Sequence, residues 1–315
     1  MFMLAQELFE SKAFVYTVIC TFAIGCLISV FGNIFTVYVY GFSKVAKKMT
    51  SGSDSTSYTS AKPSFFYMLV SIGICDLLIG LVVVPLNLTN MFFDPPMNIC
   101  LIQRSFWAFF LIVSNWSKFG VAIERYIIYM KPMQAIIEGD GWLTKRRRCY
   151  LFLTFVWTVG IVFSLLEVFR TRYNIYEPIC GISWSTNIVQ GLVWLTGTSL
   201  LPLCFMTIIY STIIISLYRK KCPGIECKNW NEKQIKAKQK TIMTLFKTVV
   251  WGGVLWLPTS LLHFLVIFNP YFSHPILQLL VLFALLLSTM ANIVIYTCWE
   301  KKFQAELKKI FYRES

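Results

Sequence analysis

The chain has 315 residues, 57% of them hydrophobic and only 14% charged, with a net charge of +14 and a mean hydropathy of +0.63. That is too apolar for one soluble core, and the apolar residues gather into runs long enough to cross about 30 Å of hydrocarbon. The two histidines, His263 and His274, both fall on the side assigned below as outer, and two outer histidines cannot build the metal centre of a membrane metallohydrolase.

Seven apolar runs are predicted, at 13–41, 64–93, 100–128, 149–169, 187–218, 241–268 and 275–298. All should be helices, because an open strand leaves backbone polar groups unpaired in lipid. The fold class expected is an all-α membrane protein, a seven-transmembrane helix bundle with a short amphipathic eighth helix. Its parts are an extracellular N-terminus at 1–12, the bundle at 13–298, and the eighth helix with a short cytoplasmic tail at 299–315. The first run is too long for a signal-peptide core and lacks a small-residue cleavage pattern, so it reads as a retained helix carrying Gly32-Asn33. The linker 43–63 contains a polar stretch from Thr50 to Ser57 and reads as a flexible insert.

Span two carries Asp76, an ionisable group in hydrocarbon that costs about 2.5–3.5 kcal/mol and is therefore read as functional. Span three opens at Cys100 and ends in Glu124-Arg125-Tyr126, with Cys100 and Arg125 about 37 Å apart at 1.5 Å per residue. Between them lie Arg104, Trp107, Ser114 and Lys118. Lys118 follows Ser114 by one helical repeat on the same face. Two readings of it stand open: a lysine snorkelling to the inner interface, or an ammonium that reaches Asp76 as a buried pair. Span four holds Trp157, span five Trp194, Pro202 and Tyr210, span six Trp256-Leu257-Pro258 and His263, and span seven Ser288, Asn292 and Tyr296. Pro202 and Pro258 each remove a backbone bond and crowd the preceding turn, which makes hinges. Residues 300–311 alternate basic and apolar at helical spacing, as a helix lying on a membrane surface does.

Charge gives the orientation. Four Lys/Arg fall around 44–62, six in 125–148, nine in 219–247 and five after 300, against Lys12, Arg104, Arg170 and Arg172 on the other side. The basic side is inner by the positive-inside rule, so the N-terminus is outside. The same asymmetry accounts for the net charge through anionic lipid headgroups and calls for no nucleic acid. Most of the ten cysteines lie within spans or on the reducing side, so no disulfide scaffold is expected. Asn87-Leu88-Thr89 and Asn115-Trp116-Ser117 match the glycosylation pattern but lie in or against spans.

Taken together, Asn33, Asp76, Cys100, Arg125, Trp157, Pro202, Tyr210, Trp256, Pro258, Asn292 and Tyr296 resemble, in order and spacing, the marks of rhodopsin-like (class A) G-protein-coupled receptors. The resemblance covers about 30–311. It implies a multi-pass plasma-membrane receptor, no enzyme, that passes an extracellular signal to a heterotrimeric G protein through Glu124, Arg125, Tyr126 and Tyr210. Trp256, Pro258, Asn292 and Tyr296 would move in the switch. It also implies a Cys100–Cys180 bridge, a bond from Asn33 to helices two and seven, and a sodium ion at Asp76 with Ser114, Ser288 and Asn292. No other cofactor is expected, and Lys118 is the candidate to replace the sodium.

The departures are specific. Ile293 stands where the family has proline after asparagine, Gly252-Gly253 where an aromatic packs beneath the tryptophan, and Asn115 where an aliphatic residue is usual. Lys238 occupies the place of an acid that would lock Arg125, which leaves Glu124 as its neighbour. With Lys118, these changes predict signalling without ligand. Trp107 stands where amine receptors carry an aspartate, so the ligand expected is no typical amine but a small anion, a lipid or a peptide, met by Arg104, Trp107, Trp194 and His263. A multi-span channel or transporter is the alternative, and it would more often show internal repeats or broken helices.

Overall fold

A computed structural model describes residues 11–42, 63–93, 96–130, 146–173, 188–218, 232–269 and 275–299, together with Gln304 and Lys308. These form α1 (Lys12–Gly41), α2 (Pro63–Leu78, a π turn at Ile79–Val83, then Val84–Phe92), α3 (Met97–Met130) and α4 (Arg146–Tyr173). Then come α5 (Ile188–Leu195, a π turn at Thr196–Leu200, then Leu201–Tyr218), α6 (Glu232–Phe268) and α7 (Pro275–Trp299). There is no strand among the described residues. Among the described residues six helices are long and apolar enough to cross a bilayer, and α6 contributes the apolar stretch Gly253–Phe268. α6 begins well before the predicted start at 241 and carries Lys233, Lys236, Lys238, Lys240 and Lys247 in its first half.

α3 is the central column. It packs against α2, α4 and α5, whereas α1 touches α2 and α7, and α6 lies between α5 and α7. Two-thirds of the apolar stretch of α3 (67%) is buried, against 17% for α1 and α4, whose outer faces leave Ile24, Phe31, Leu165 and Leu166 exposed as lipid-facing residues are. The apolar core has two parts. One contains Cys75, Ile79, Leu111, Val113, Leu195 and Leu286, the other Met68, Leu69, Ile72, Val121, Ala122 and Ile213. On α3 the two are separated by the polar run Ser114, Asn115, Ser117 and Lys118, and on α2 Asp76 falls at the same boundary.

α1 and α7 approach closely at Gly25 and Gly32, where an added Cβ would run into Leu286 and Ile293. Gly32→Ala is therefore expected to push α1 from α7 and cost about 1–2 kcal/mol by overpacking, read as a lower unfolding midpoint of the purified protein. An unchanged midpoint would mean that Ile293 simply turns aside.

Both π turns stand just ahead of a proline, Pro85 in α2 and Pro202 in α5. Proline has no N–H and its ring crowds the carbonyl four residues back, so a widened turn relieves the clash inside a continuous helix. At the far end of α7, Gln304 Nε2 donates to the carbonyls of Thr297 (2.8 Å) and Cys298 (3.2 Å), satisfying acceptors that a helix end leaves open. Gln304 and Lys308 are helical. The rest of the predicted eighth helix, the 43–62 insert and Cys180 lie outside the described residues.

Candidate functional site

At the middle of the bundle Asp76 is 1% exposed, and its two oxygens are used separately. Ser114 Oγ of α3 donates to Oδ1 at 3.1 Å, and Asn292 Nδ2 of α7 donates to Oδ2 at 2.7 Å. One carboxylate thus joins α2, α3 and α7. Lys118, half-buried one turn further along α3, lies within electrostatic range of the Asp76 carboxylate but makes no ion pair with it. Of the other expected members, Ser288 is buried on α7 without bonding Asp76. Asn33 departs from expectation. Its amide donates to Ser29 O at 2.9 Å and Thr289 O at 3.4 Å, tying α1 to α7 and not to α2. The reason is local: Ser29 and Thr289 already share a 2.8 Å hydroxyl bond that draws the asparagine between them.

A second polar contact links α3 to α5, and sequence reasoning missed it. Pro202 cannot bond the carbonyl of Thr198, four residues earlier. Asn115 Nδ2 donates to that carbonyl at 2.9 Å, and Trp116 Nε1 donates to the adjacent Gly197 carbonyl at 3.0 Å. Asn115 therefore serves as the missing donor. Trp157 Nε1 of α4 donates to Ser71 Oγ at 3.1 Å, which in turn shares a 3.2 Å bond with Ser117, so α2, α3 and α4 are joined as well.

At the Arg125 end, Glu124 is fully buried, Arg125 and Tyr126 are half-buried, and Tyr210 is 1% exposed. Tyr210 sits within electrostatic reach of both Arg125 and Glu124, and its ring lies 6.3 Å from Phe246 of α6. Glu124 also faces Cys149 of α4 closely enough to act on it. The side chains of Tyr296 and Lys238 lie outside the described residues.

At the Cys100 end, Cys100 is disulfide-bonded. Trp194 and His263 meet edge to face at 5.4 Å, and the His263 ring also bonds the Thr259 backbone. One and two turns below, Thr259 Oγ1 and Trp256 Nε1 are buried with no hydrogen-bond partner among the described residues. Pro258 is exposed on the opposite side of α6. Arg104 and Trp107 are half-buried on α3, with Trp107 against the apolar core. A further network lies beside them: Gln103 Nε2 donates to Asn87 Oδ1 at 2.7 Å, and Asn90 Nδ2 donates to Gln103 Oε1 at 3.0 Å. Neutral amides on two neighbouring helices give no signal in hydropathy, and only Asn87 stood out, as half of a glycosylation motif. Asn87 and Asn115 are both engaged inside the bundle, which fits the discounting of both motifs.

Comparison with known proteins agrees with this geometry. A family model described as "7 transmembrane receptor (rhodopsin family)" matches residues 55–296. The substance-K receptor of Bos taurus is 26% identical over 224 residues, covering 67% of this chain and 56% of the relative. The neuromedin-K receptor of Rattus norvegicus is 22% identical over 299 residues, 90% of this chain and 61% of the relative. That of Oryctolagus cuniculus is 25% identical over 224 residues, 68% of this chain and 46% of the relative. The chain spans about half the length of the relatives it matches.

Proposed function

The chain belongs to the seven-transmembrane receptors of the rhodopsin family, and from that premise we propose that it is a plasma-membrane receptor, N-terminus outside, that passes an extracellular ligand signal to a heterotrimeric G protein. One observation carries the reading. A single central helix, α3, holds the disulfide at Cys100, the Ser114–Asp76 bond at its middle, and Arg125 beside Tyr210 at its end. Movement of α6 and α7 about that column would alter the Asp76–Asn292 bond and the Tyr210–Phe246 contact together, which is what a two-state switch requires.

The ligand enters from the Cys100 end. There the aromatic rings of Trp107, Trp194 and Trp256 supply apolar area, and Thr259, Trp256, His263 and Arg104 supply polar contacts. The relatives are named as receptors for substance K and neuromedin K, so ligands of that kind are the first to try. Ligand-independent signalling belongs to the same reading, because Lys238 stands where an acid would lock Arg125 and Gly252-Gly253 where an aromatic would pack beneath the tryptophan.

The test is nucleotide exchange on purified heterotrimeric G protein by the full chain in nanodiscs, without ligand. Wild type is expected to accelerate exchange, and Arg125→Ala to lose it by about tenfold or more, equivalent to at least 1.4 kcal/mol of lost coupling. Equal exchange by both proteins would refute the role of Arg125. Ion flux through the same protein in sealed vesicles would replace the receptor reading with the channel one.

A further inference from the structure

A buried carboxylate needs its charge balanced, and Asp76 lies too deep for bulk solvent to do so. The family resemblance supplies one answer, a sodium ion held by Asp76, Ser114, Ser288 and Asn292. The residues do not fit that answer well. Hard cations are bound through oxygen lone pairs, yet Asn292 turns its N–H group, not its oxygen, onto Asp76 Oδ2 at 2.7 Å. Ser288 is buried but does not bond the carboxylate.

A positive charge is already present. Lys118 follows Ser114 by one turn on α3, so the helix that hydrogen-bonds Asp76 also carries a cation on the same face. Lys118 lies within electrostatic range of Asp76 and of the neighbouring Cys75, without closing an ion pair on the carboxylate. A lysine stretched toward the Arg125 end would leave that region, since Arg125 is about 10 Å further along the helix at 1.5 Å per residue. Lys118 also interrupts the two apolar cores at the level of the acid. A second cation brought to the same carboxylate would meet the ammonium as a like charge.

We infer that Lys118 is the resident counter-ion of Asp76 and that this polar layer takes no sodium. The cation that relatives would recruit from solution is here part of the chain, so the extracellular sodium concentration has no hold on the position of α3 relative to α2 and α7. The inference rests on the receptor reading only for the comparison with sodium. Its test uses no signalling output, so either can fail alone.

The experiment follows thermal unfolding of the purified full chain in sodium chloride and in choline chloride at equal ionic strength. Wild type is expected to give the same midpoint in both salts. Lys118→Met is expected to gain a sodium-specific rise on the order of 2–4 °C, the scale for a ligand at roughly ten times its dissociation constant. Adding Asp76→Asn to that variant should abolish the rise, which assigns it to this carboxylate. A sodium-specific rise in wild type overturns the inference, and so does a Lys118→Met protein indifferent to sodium. Should Lys118→Met not purify, Lys118→Gln removes the same charge with the polar tip retained and is read in the same way.

Discussion

Replacing Asp76 by alanine is expected to lower the unfolding free energy by about 3–5 kcal/mol, the range for removing one partner of a buried charged pair. Two groups lose their acceptor and a third loses its nearby opposite charge. The Asn292 amide and the Ser114 hydroxyl each give Asp76 a hydrogen bond, and Lys118 is left beside no anion. Ser114 can recover part of its loss by bonding a carbonyl of its own helix, as serines in helices do. Asn292 has no such recourse.

Asp76→Asn should cost less, about 1–3 kcal/mol, because its oxygen still accepts from Asn292 and its amide can donate to Ser114. The order alanine worse than asparagine is the discriminating result. It can be followed with a thiol-reactive dye, since Cys75 and Cys149 are fully buried and become reactive only on unfolding. An alanine variant that melts with wild type would show that the carboxylate does not hold α2, α3 and α7 together.

The second large effect is expected at Asn115. Its amide satisfies the Thr198 carbonyl that Pro202 orphans, in a region where water cannot easily take over. Asn115→Leu should therefore destabilise the protein by about 1–3 kcal/mol, the cost of an unsatisfied buried acceptor. The mechanism makes a sharper statement through the double variant. Pro202→Ala restores an N–H that can bond Thr198 internally, so Asn115→Leu should cost much less in that background. Additive losses in the double-mutant cycle would mean that Asn115 matters for packing alone.

Hydropathy made the seven spans legible, because a spanning helix must be apolar over most of its length whatever it packs against. Asp76 and Arg125 were legible for the opposite reason, as charges in or beside apolar runs. What stayed hidden was pairing across helices. Asn115 looked like a departure from a family pattern, and only the rotation of α3 against α5 reveals its partner. Gln103 joins Asn87 and Asn90 for similar reasons, through facing directions that composition does not carry. Asn33 was placed correctly in the bundle, but its bond to α2 was inferred from a pattern, and the Ser29–Thr289 pair redirects it. In α6 the basic first half obscured where a continuous helix begins, since charge marks the membrane edge and not the helix end.

The π turns in α2 and α5 also divide each of those helices into two angular frames. A π turn carries one residue more than the α-helical turn it replaces, and one residue is worth about 100° of rotation at 3.6 per turn. Trp194 and Tyr210 share α5 but not a phase, so counting from one misplaces the other around the axis. A single-residue deletion within Thr196–Leu200 would merge the frames and swing Trp194 away from His263 while leaving every side chain of the site unchanged in identity. Length variation at that turn is thus equivalent to rewriting the whole outer face of α5 at one stroke, and a family of such receptors can diverge in what it recognises without substituting a residue that touches the ligand.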